Sequence, residues 1–354
     1  MQPRERPQAL ETWIAEILGR LALTAEGRAR PLTAEASSRR FARIFTNDGP
    51  LIVMDAPPAS ENNQQYVMLG QWLRRHGLRA PEVYAADLER GFLLIEDFGD
   101  VLLGHRLARA GATERRDLYR CAIRTLVRFQ RAAADDPPAM PDYDAARLGR
   151  ELGLFSHWFV DGLLGLRPPA GVLDTTEQAL TAAALEQPRG GVYLDYHSRN
   201  LLLLSDGELG LVDFQDAHTG PVSYDLVSLL RDCYLRWPEA EVRALRDDYL
   251  EAARAADLEG VGDAAAFARG FDLCGIQRHM KALGIFARVY LDGGRNTFLS
   301  DMPRVMAHLA AVMPAHPETR ALGDWLADTA GPRLSAVLAP IEARADVPAD
   351  RAAP

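Results

Sequence analysis

The strongest constraint on how this chain folds lies between residues 192 and 215. Asp195 and Asn200 stand five residues apart in a polar stretch bounded by apolar runs, and Asp213 follows 13 residues after Asn200. Leu201 to Leu204 and Leu209 to Val212 are continuous apolar runs around Ser205, Asp206, Gly207 and Glu208, the pattern of two short buried strands and a turn. A hairpin returns the chain to near its starting point, so Asp213 is expected beside Asn200. Two carboxylates and an amide oxygen then converge, and hard oxygen donors of this kind suit Mg2+.

Upstream of this segment the elements are mixed. Leu10, Trp13, Ile14, Ile17, Leu18 and Leu21 recur at helical spacing over residues 8–22. Phe41 to Phe45 and Leu51 to Met54 read as strands around Asn47, Asp48, Gly49 and Pro50, a hairpin signal. Glu61 to Arg75 predicts a helix, and Phe92 to Ile95 a short buried strand. Beyond Gly99 helices dominate: one capped by Thr113 and ending near Asp135, then Asp144 to Phe159, Asp225 to Trp237, Glu239 to Ala256, Ala264 to Tyr290 and Met302 to Met313. The expectation is an α+β chain with a small mixed lobe over residues 1–96, a large mostly helical lobe over 97–344, and a frayed tail over 345–354.

Composition excludes several roles. With a net charge of −9 among 354 residues, the chain lacks the clustered positive charge that nonspecific nucleic-acid binding requires. The first residues lack the apolar core of a secretory signal, and no apolar run reaches membrane-span length. Three scattered cysteines, Cys121, Cys233 and Cys274, form no CxxC metal pattern, and a reducing cytoplasm is the expected location. Lys281 is the single lysine among 40 basic residues.

Phosphoryl transfer needs the division of labour that the central segment offers. One carboxylate orients and deprotonates an attacking hydroxyl, while an Asn and a second Asp hold metal ions on the phosphates. The order Asp, Asn, hairpin, Asp-Phe is that of the kinase catalytic and metal loops. Asp195 to Asn200 (DYHSRN), Asp213 to Ala217 (DFQDA) and Gly220 to Cys233 (GPVSYDLVSLLRDC) resemble the aminoglycoside phosphotransferase superfamily. Within it they are most similar to the anomeric kinases of N-acetylmuramate and N-acetylglucosamine in bacterial cell-wall sugar recycling. The likeness extends to Leu51 to Pro58, Leu94 to Gly99 and Gln277 to Ala287, and so runs from Ala34 to Arg304. It implies a protein-kinase-like two-lobed fold, ATP and Mg2+ as cofactors, and a small amino-sugar substrate with no protein partner. It also implies Asp195 as catalytic base, Asn200 and Asp213 as magnesium ligands, and a connector, with Glu96 and Phe98, holding adenine through backbone groups. An aminoglycoside or small-alcohol kinase and a nucleotide-binding pseudokinase stay open as alternatives.

Three positions depart from the superfamily pattern. Tyr193 stands where a loop-supporting His is usual, and the Gly-rich phosphate loop is replaced by Ala34 to Arg40, in which Ser37 and Ser38 offer donors to phosphate. Met54 stands where a lysine would hold the α- and β-phosphates. If paired residue numbers in the hairpin sum to 97, Arg43 faces Met54 and becomes the candidate substitute, with Arg39 and Arg40 as alternatives and Glu61 as a potential partner.

For the acceptor, Phe271 to Ser300 carries Arg278, Lys281, Arg288 and Arg295 against Asp272 and Asp292, a local excess of two positive charges that suits an anionic sugar. Arg278 and His279 are candidate substrate ligands there. His197 and Arg199 in the catalytic loop and Asp216 beyond the metal loop are further candidates, and Asp195 is preferred to His197 as the base.

Overall fold

The computed structural model describes residues 5–32 and 38–345. Two compact units form, Met1–Ala139 with Tyr193–Ala217, and Met140–Val192 with His218–Pro354. The boundary expected after residue 96 lies inside the first unit. Phe129, on the helix Ala112–Asp135, meets the Trp72 ring edge-on at 6.0 Å, and Tyr66 stacks on Phe214 at 4.8 Å. Those contacts tie the following helix and the 193–217 segment to the helix Asn63–Arg75.

That sheet is five-stranded and antiparallel, with strands β1 (Arg30–Leu32), β2 (Arg40–Thr46), β3 (Gly49–Asp55), β4 (Val83–Asp87) and β5 (Phe92–Glu96) in the order β1-β2-β3-β5-β4. Alternation sorts the side chains. Ile44, Val53, Phe92 and Leu94 bury one face against Trp13, Ile17 and Leu18 of helix α1 (Arg6–Arg20). Helix α2 (Asn63–Arg75) starts where the Asn62 side chain caps the Gln65 N–H at 3.0 Å, and it buries Tyr66, Leu69, Trp72 and Leu73 as its spacing predicts.

The β2–β3 register differs from expectation. The loop is Asn47-Asp48, closed by the Thr46 hydroxyl donating to the Gly49 carbonyl at 2.7 Å, with Gly49 at φ 114°. Pairs therefore sum to 95, so that Phe41 faces Met54 and Arg43 faces Ile52. Because the shift is two residues, Arg43 keeps the sheet face it shares with Met54.

In the second unit, the helix Ala264–Leu291 runs through a core that includes Phe155, Phe159, Met280, Leu283, Met302 and Val305. The predicted helix over 144–159 is an α-helix, Ala145–Leu154, continuing as a π-helical stretch, Phe155–Leu163. The helix expected over 225–237 stops at Leu230; the backbone leaves helical geometry at Arg231 (φ −117°, ψ 51°), whose guanidinium meets Asp272 and Glu239 at 2.8 and 2.9 Å. Strands Arg189–Val192 and His218–Pro221 pair antiparallel and bracket the 193–217 segment in sequence.

Gly284 permits the closest helix approach in this unit. A Cβ there would lie 2.4 Å from the Leu154 carbonyl carbon and 2.6 Å from the Phe155 nitrogen, and backbone cannot step aside as a side chain can. Gly284→Ala is expected to lower unfolding stability by about 1–3 kcal/mol, the usual cost of overpacking. A denaturant midpoint equal to that of the parent protein would show that these helices can part at no cost.

Candidate active site

The hairpin forms as the apolar runs predict. Leu201 pairs with Leu211, Leu202 with Gly210 and Leu203 with Leu209, and Gly207 turns the chain at φ 83°. The Val212 N–H donates to the Asn200 carbonyl at 3.2 Å, which sets Asp213 next to Asn200. Asn200 Nδ2 donates to the Asp195 carbonyl at 3.1 Å and lies 3.4 Å from Asp213 Oδ2. Residues 195, 200 and 213 are thus brought together inside one unit.

The backbone is strained at both ends of this arrangement. Leu194 has φ 82° and Asp213 φ 64°, two of four non-glycine residues in the left-handed region among the described residues. Such conformations cost on the order of 1–3 kcal/mol each and persist where neighbours enforce them. Tyr193 is one enforcer. Fully buried, it donates from its hydroxyl to the Val212 carbonyl at 2.6 Å and packs edge-on against Phe129 and Tyr196. The tyrosine at the usual histidine position therefore ties the Asp195 loop to the strand that delivers Asp213.

Asp213 concentrates the electrostatics. Gln215 donates to its Oδ1 at 2.7 Å, and Arg39 Nη1 reaches the same oxygen at 3.2 Å. Its half-exposed carboxyl is nevertheless held above the usual range, first by partial desolvation and then by repulsion from Asp195, with Gln215 and Arg39 pulling the other way. Among the described residues no group of three or more His, Cys, Asp or Glu side chains could hold a metal. A cation here would need the Asn200 amide with Asp213, completed by water or substrate oxygens, which is how Mg2+ is usually bound. Repelling carboxylates and an amide fit that ion.

Arg43, the expected substitute for the lysine, meets the connector and not Asp213. Arg43 Nη2 donates to Asp97 at 3.0 Å, and both Nη atoms donate to Asp100 at 2.8 Å, with Nε also on Asp97. The guanidinium that meets Asp213 is that of Arg39, whose Nη2 pairs with Glu61 at 2.7 Å. Ser38 donates its hydroxyl to the same Glu61 carboxylate. Ser37 lies outside the described residues. The signal for Arg39 was its odd number. It lies one residue before β2, in the alternation of Phe41 and Arg43, and thus on the Met54 face.

In the connector, a Cβ at Gly210 would fall 2.5 Å from the Phe98 ring, so glycine is what lets Phe98 lie against the hairpin. The Glu96 carboxylate is turned to Arg74 at 3.3 Å and Arg79 at 3.8 Å, and its N–H donates to the Glu82 carbonyl at 2.8 Å. Of the acceptor candidates, His197 and Arg199 are half-buried in the catalytic loop, and Asp216 is exposed beside Gln215.

Arg278 and His279 lie in the second unit. Arg278 sits over the Tyr224 ring at 5.1 Å. His279 is corrected as a substrate ligand. It is buried, stacked on His308 at 4.7 Å, and donates from Nε2 to the Arg231 carbonyl at 2.8 Å, so it belongs to the core. Burial and the neighbouring His308 hold its pKa well below the ordinary value. The local positive excess is also offset, since Lys281 pairs with Glu151 at 3.0 Å.

Residues 28–266 match the phosphotransferase enzyme family, and the chain belongs to that family. The N-acetylmuramate/N-acetylglucosamine kinase of Pseudomonas putida is 38% identical over 332 residues, 91% of this chain and 96% of the relative. A kinase of the same description from Neisseria meningitidis is 36% identical, covering 84% of this chain and 89% of the relative. The fold is protein-kinase-like. Choline kinase LicA from Streptococcus pneumoniae superposes with a TM-score of 0.60 at 16% identity, over 86% of this chain and 99% of that one.

The raised pKa of Asp213 carries a stability consequence. The folded state keeps this proton to higher pH than the unfolded chain does, so the penalty is absent below the ordinary carboxylate pKa and fully present above the raised one. Asp213→Asn is therefore expected to raise the melting temperature modestly near neutral pH, with the gain fading as pH falls through the carboxylate range. Melting curves across pH check this; a variant less stable than its parent at neutral pH would contradict it.

Proposed function

We propose that this enzyme transfers the γ-phosphoryl group of ATP to the anomeric hydroxyl of N-acetylmuramate or N-acetylglucosamine. The observation that carries the reading is the convergence of Asp195, Asn200 and Asp213, with the Asn200 amide 3.1 Å from the Asp195 carbonyl and 3.4 Å from the Asp213 carboxylate. The acceptor is supported by relatives of that description at 36–38% identity over most of the chain. No described helix is long and apolar enough to cross a membrane, and the three cysteines are free thiols, in keeping with a cytoplasmic kinase.

Asp195 orients the sugar hydroxyl and accepts its proton as the oxygen attacks the γ-phosphorus and ADP departs. Asn200, whose Nδ2 is engaged in the loop, keeps Oδ1 for a cation, and Asp213 supplies a carboxylate oxygen beside it. Mg2+ held there would neutralise charge on the phosphates. Phe98 and the connector main chain form the adenine side, with Arg43 fixing the connector through Asp97 and Asp100. Ser38 stands on the phosphate side through Glu61. His197, Arg199 and Asp216 are the acceptor-side groups of this unit. Positioning and electrostatics supply the acceleration, without a covalent enzyme intermediate.

A panel of N-acetylmuramate, N-acetylglucosamine, choline and aminoglycosides, with products read by phosphorus NMR, tests the assignment. Phosphate on the anomeric oxygen of the amino sugars is expected. Turnover of choline or an aminoglycoside alone would reject it. Asp195→Asn is expected to lower kcat by about 10²- to 10⁴-fold at unchanged melting temperature, and undiminished turnover would remove Asp195 as the base.

A further inference from the structure

We infer that Arg39, positioned by Glu61 and reaching Asp213, is the diphosphate clamp of this enzyme. The inference rests on the phosphotransferase reading and deepens it.

Three observations carry it. No lysine precedes Lys281, so the sheet has none to offer, and Met54 at the expected strand position is wholly buried. Arg39 lies just outside β2 on the face that Phe41 shares with Met54, so its side chain starts from the same side of the sheet, one strand over. Its guanidinium then spans two acids of different kinds. Glu61, at 2.7 Å, stands just before α2 and is also held by Ser38, while Asp213, at 3.2 Å, is the metal-loop carboxylate.

The two contacts differ in permanence. Glu61 and Arg39 have side chains only 11% and 9% exposed, so this pair is enclosed and anchors the arginine. The Asp213 side chain is 44% exposed and already takes a shorter hydrogen bond from Gln215, so the longer arginine bond is the one open to exchange. Asp213 would hold a bound cation through the same oxygens, and the Arg39 Nη1 donor would then be available for another acceptor. The arginine's planar fork then has N–H donors for phosphate oxygens, which guanidinium binds bidentately. Arg43 is anchored elsewhere, because Asp97, whose side chain is only 2% exposed, takes its Nε and Nη2 and ties it to the connector.

Calorimetric titration of adenosine and ADP, each with and without Mg2+, into the parent protein, Arg39→Met and Arg39→Lys tests the assignment. Arg39→Met is expected to weaken Mg-ADP binding by about 10- to 100-fold, the range of lost charge-assisted hydrogen bonds, while adenosine binds as before. Arg39→Lys should recover part of the loss, and the KM for ATP should rise more than that for the sugar. If Arg39→Met does not fold, Glu61→Gln serves, with the same split between ADP and adenosine expected. Equal losses for adenosine and ADP, or no loss for either, would overturn the clamp and leave Arg39 a structural ion-pair residue. A parent protein that binds Mg-ADP with this arginine dependence but phosphorylates no amino sugar would sink the proposed function and leave the clamp standing.

Discussion

Asp195 and Asp213 repel one another, and Asp213 holds its proton more tightly than an ordinary carboxylate in part for that reason. A chain free to relax would move them apart. Here the three-residue strands of the 201–211 hairpin and the Val212-to-Asn200 hydrogen bond hold the chain closed. The Tyr193 hydroxyl on the Val212 carbonyl braces the other side. A single such hydrogen bond contributes only about 1 kcal/mol net, no more than one left-handed non-glycine residue costs. Several must act together to hold two strained residues and a pair of like charges. The unit therefore stores unfavourable energy at the place where a divalent cation and a polyphosphate would relieve it.

Most of this arrangement was legible before any coordinates. The apolar runs on either side of Gly207 could pair in few ways, and a hairpin between Asn200 and Asp213 follows from their length. The β2–β3 register was less legible. Asn47, Asp48, Gly49 and Pro50 support several loops, and local chemistry at Thr46, whose hydroxyl bonds the Gly49 carbonyl, chose the one that shifts pairing by two. Even so, parity survived, and parity decides which side of a sheet a residue serves. Arg43 faced the expected side; what sequence could not reveal was that Asp97 and Asp100, more than 50 residues later, would capture it.

Sequence windows misled more in the second unit, where charges are balanced across distant elements. The excess over residues 271–300 suggested an anion-binding face. Yet Lys281 meets Glu151, and Glu151 also accepts from Arg147, Tyr143 and Gln277. That network drops the Glu151 pKa below its usual value against the cost of burial, chiefly through Lys281. His279 is a similar case. Its helical spacing beside Arg278 and Lys281 reads as a polar face, but one position along a helix rotates a side chain by more than a quarter turn, and His279 points into the core. Strands Arg189–Val192 and His218–Pro221 escaped notice because glycines and a proline mask the alternation.

An arginine and a lysine solve the phosphate problem from different places. A lysine offers a compact point charge, and it serves best projecting straight from the strand beneath the phosphates. An arginine presents a rigid fork that can bond two acids at once, as Arg39 does with Glu61 and Asp213. That allows it to start one strand away, at the edge of β2, with a fixed acid as pivot. The strand position itself can then be apolar, and Met54 there has no exposed surface. Met54 and Arg39 thus divide this face of the sheet: the methionine belongs to the core, and the charge beside Asp213 comes from the residue that precedes the neighbouring strand.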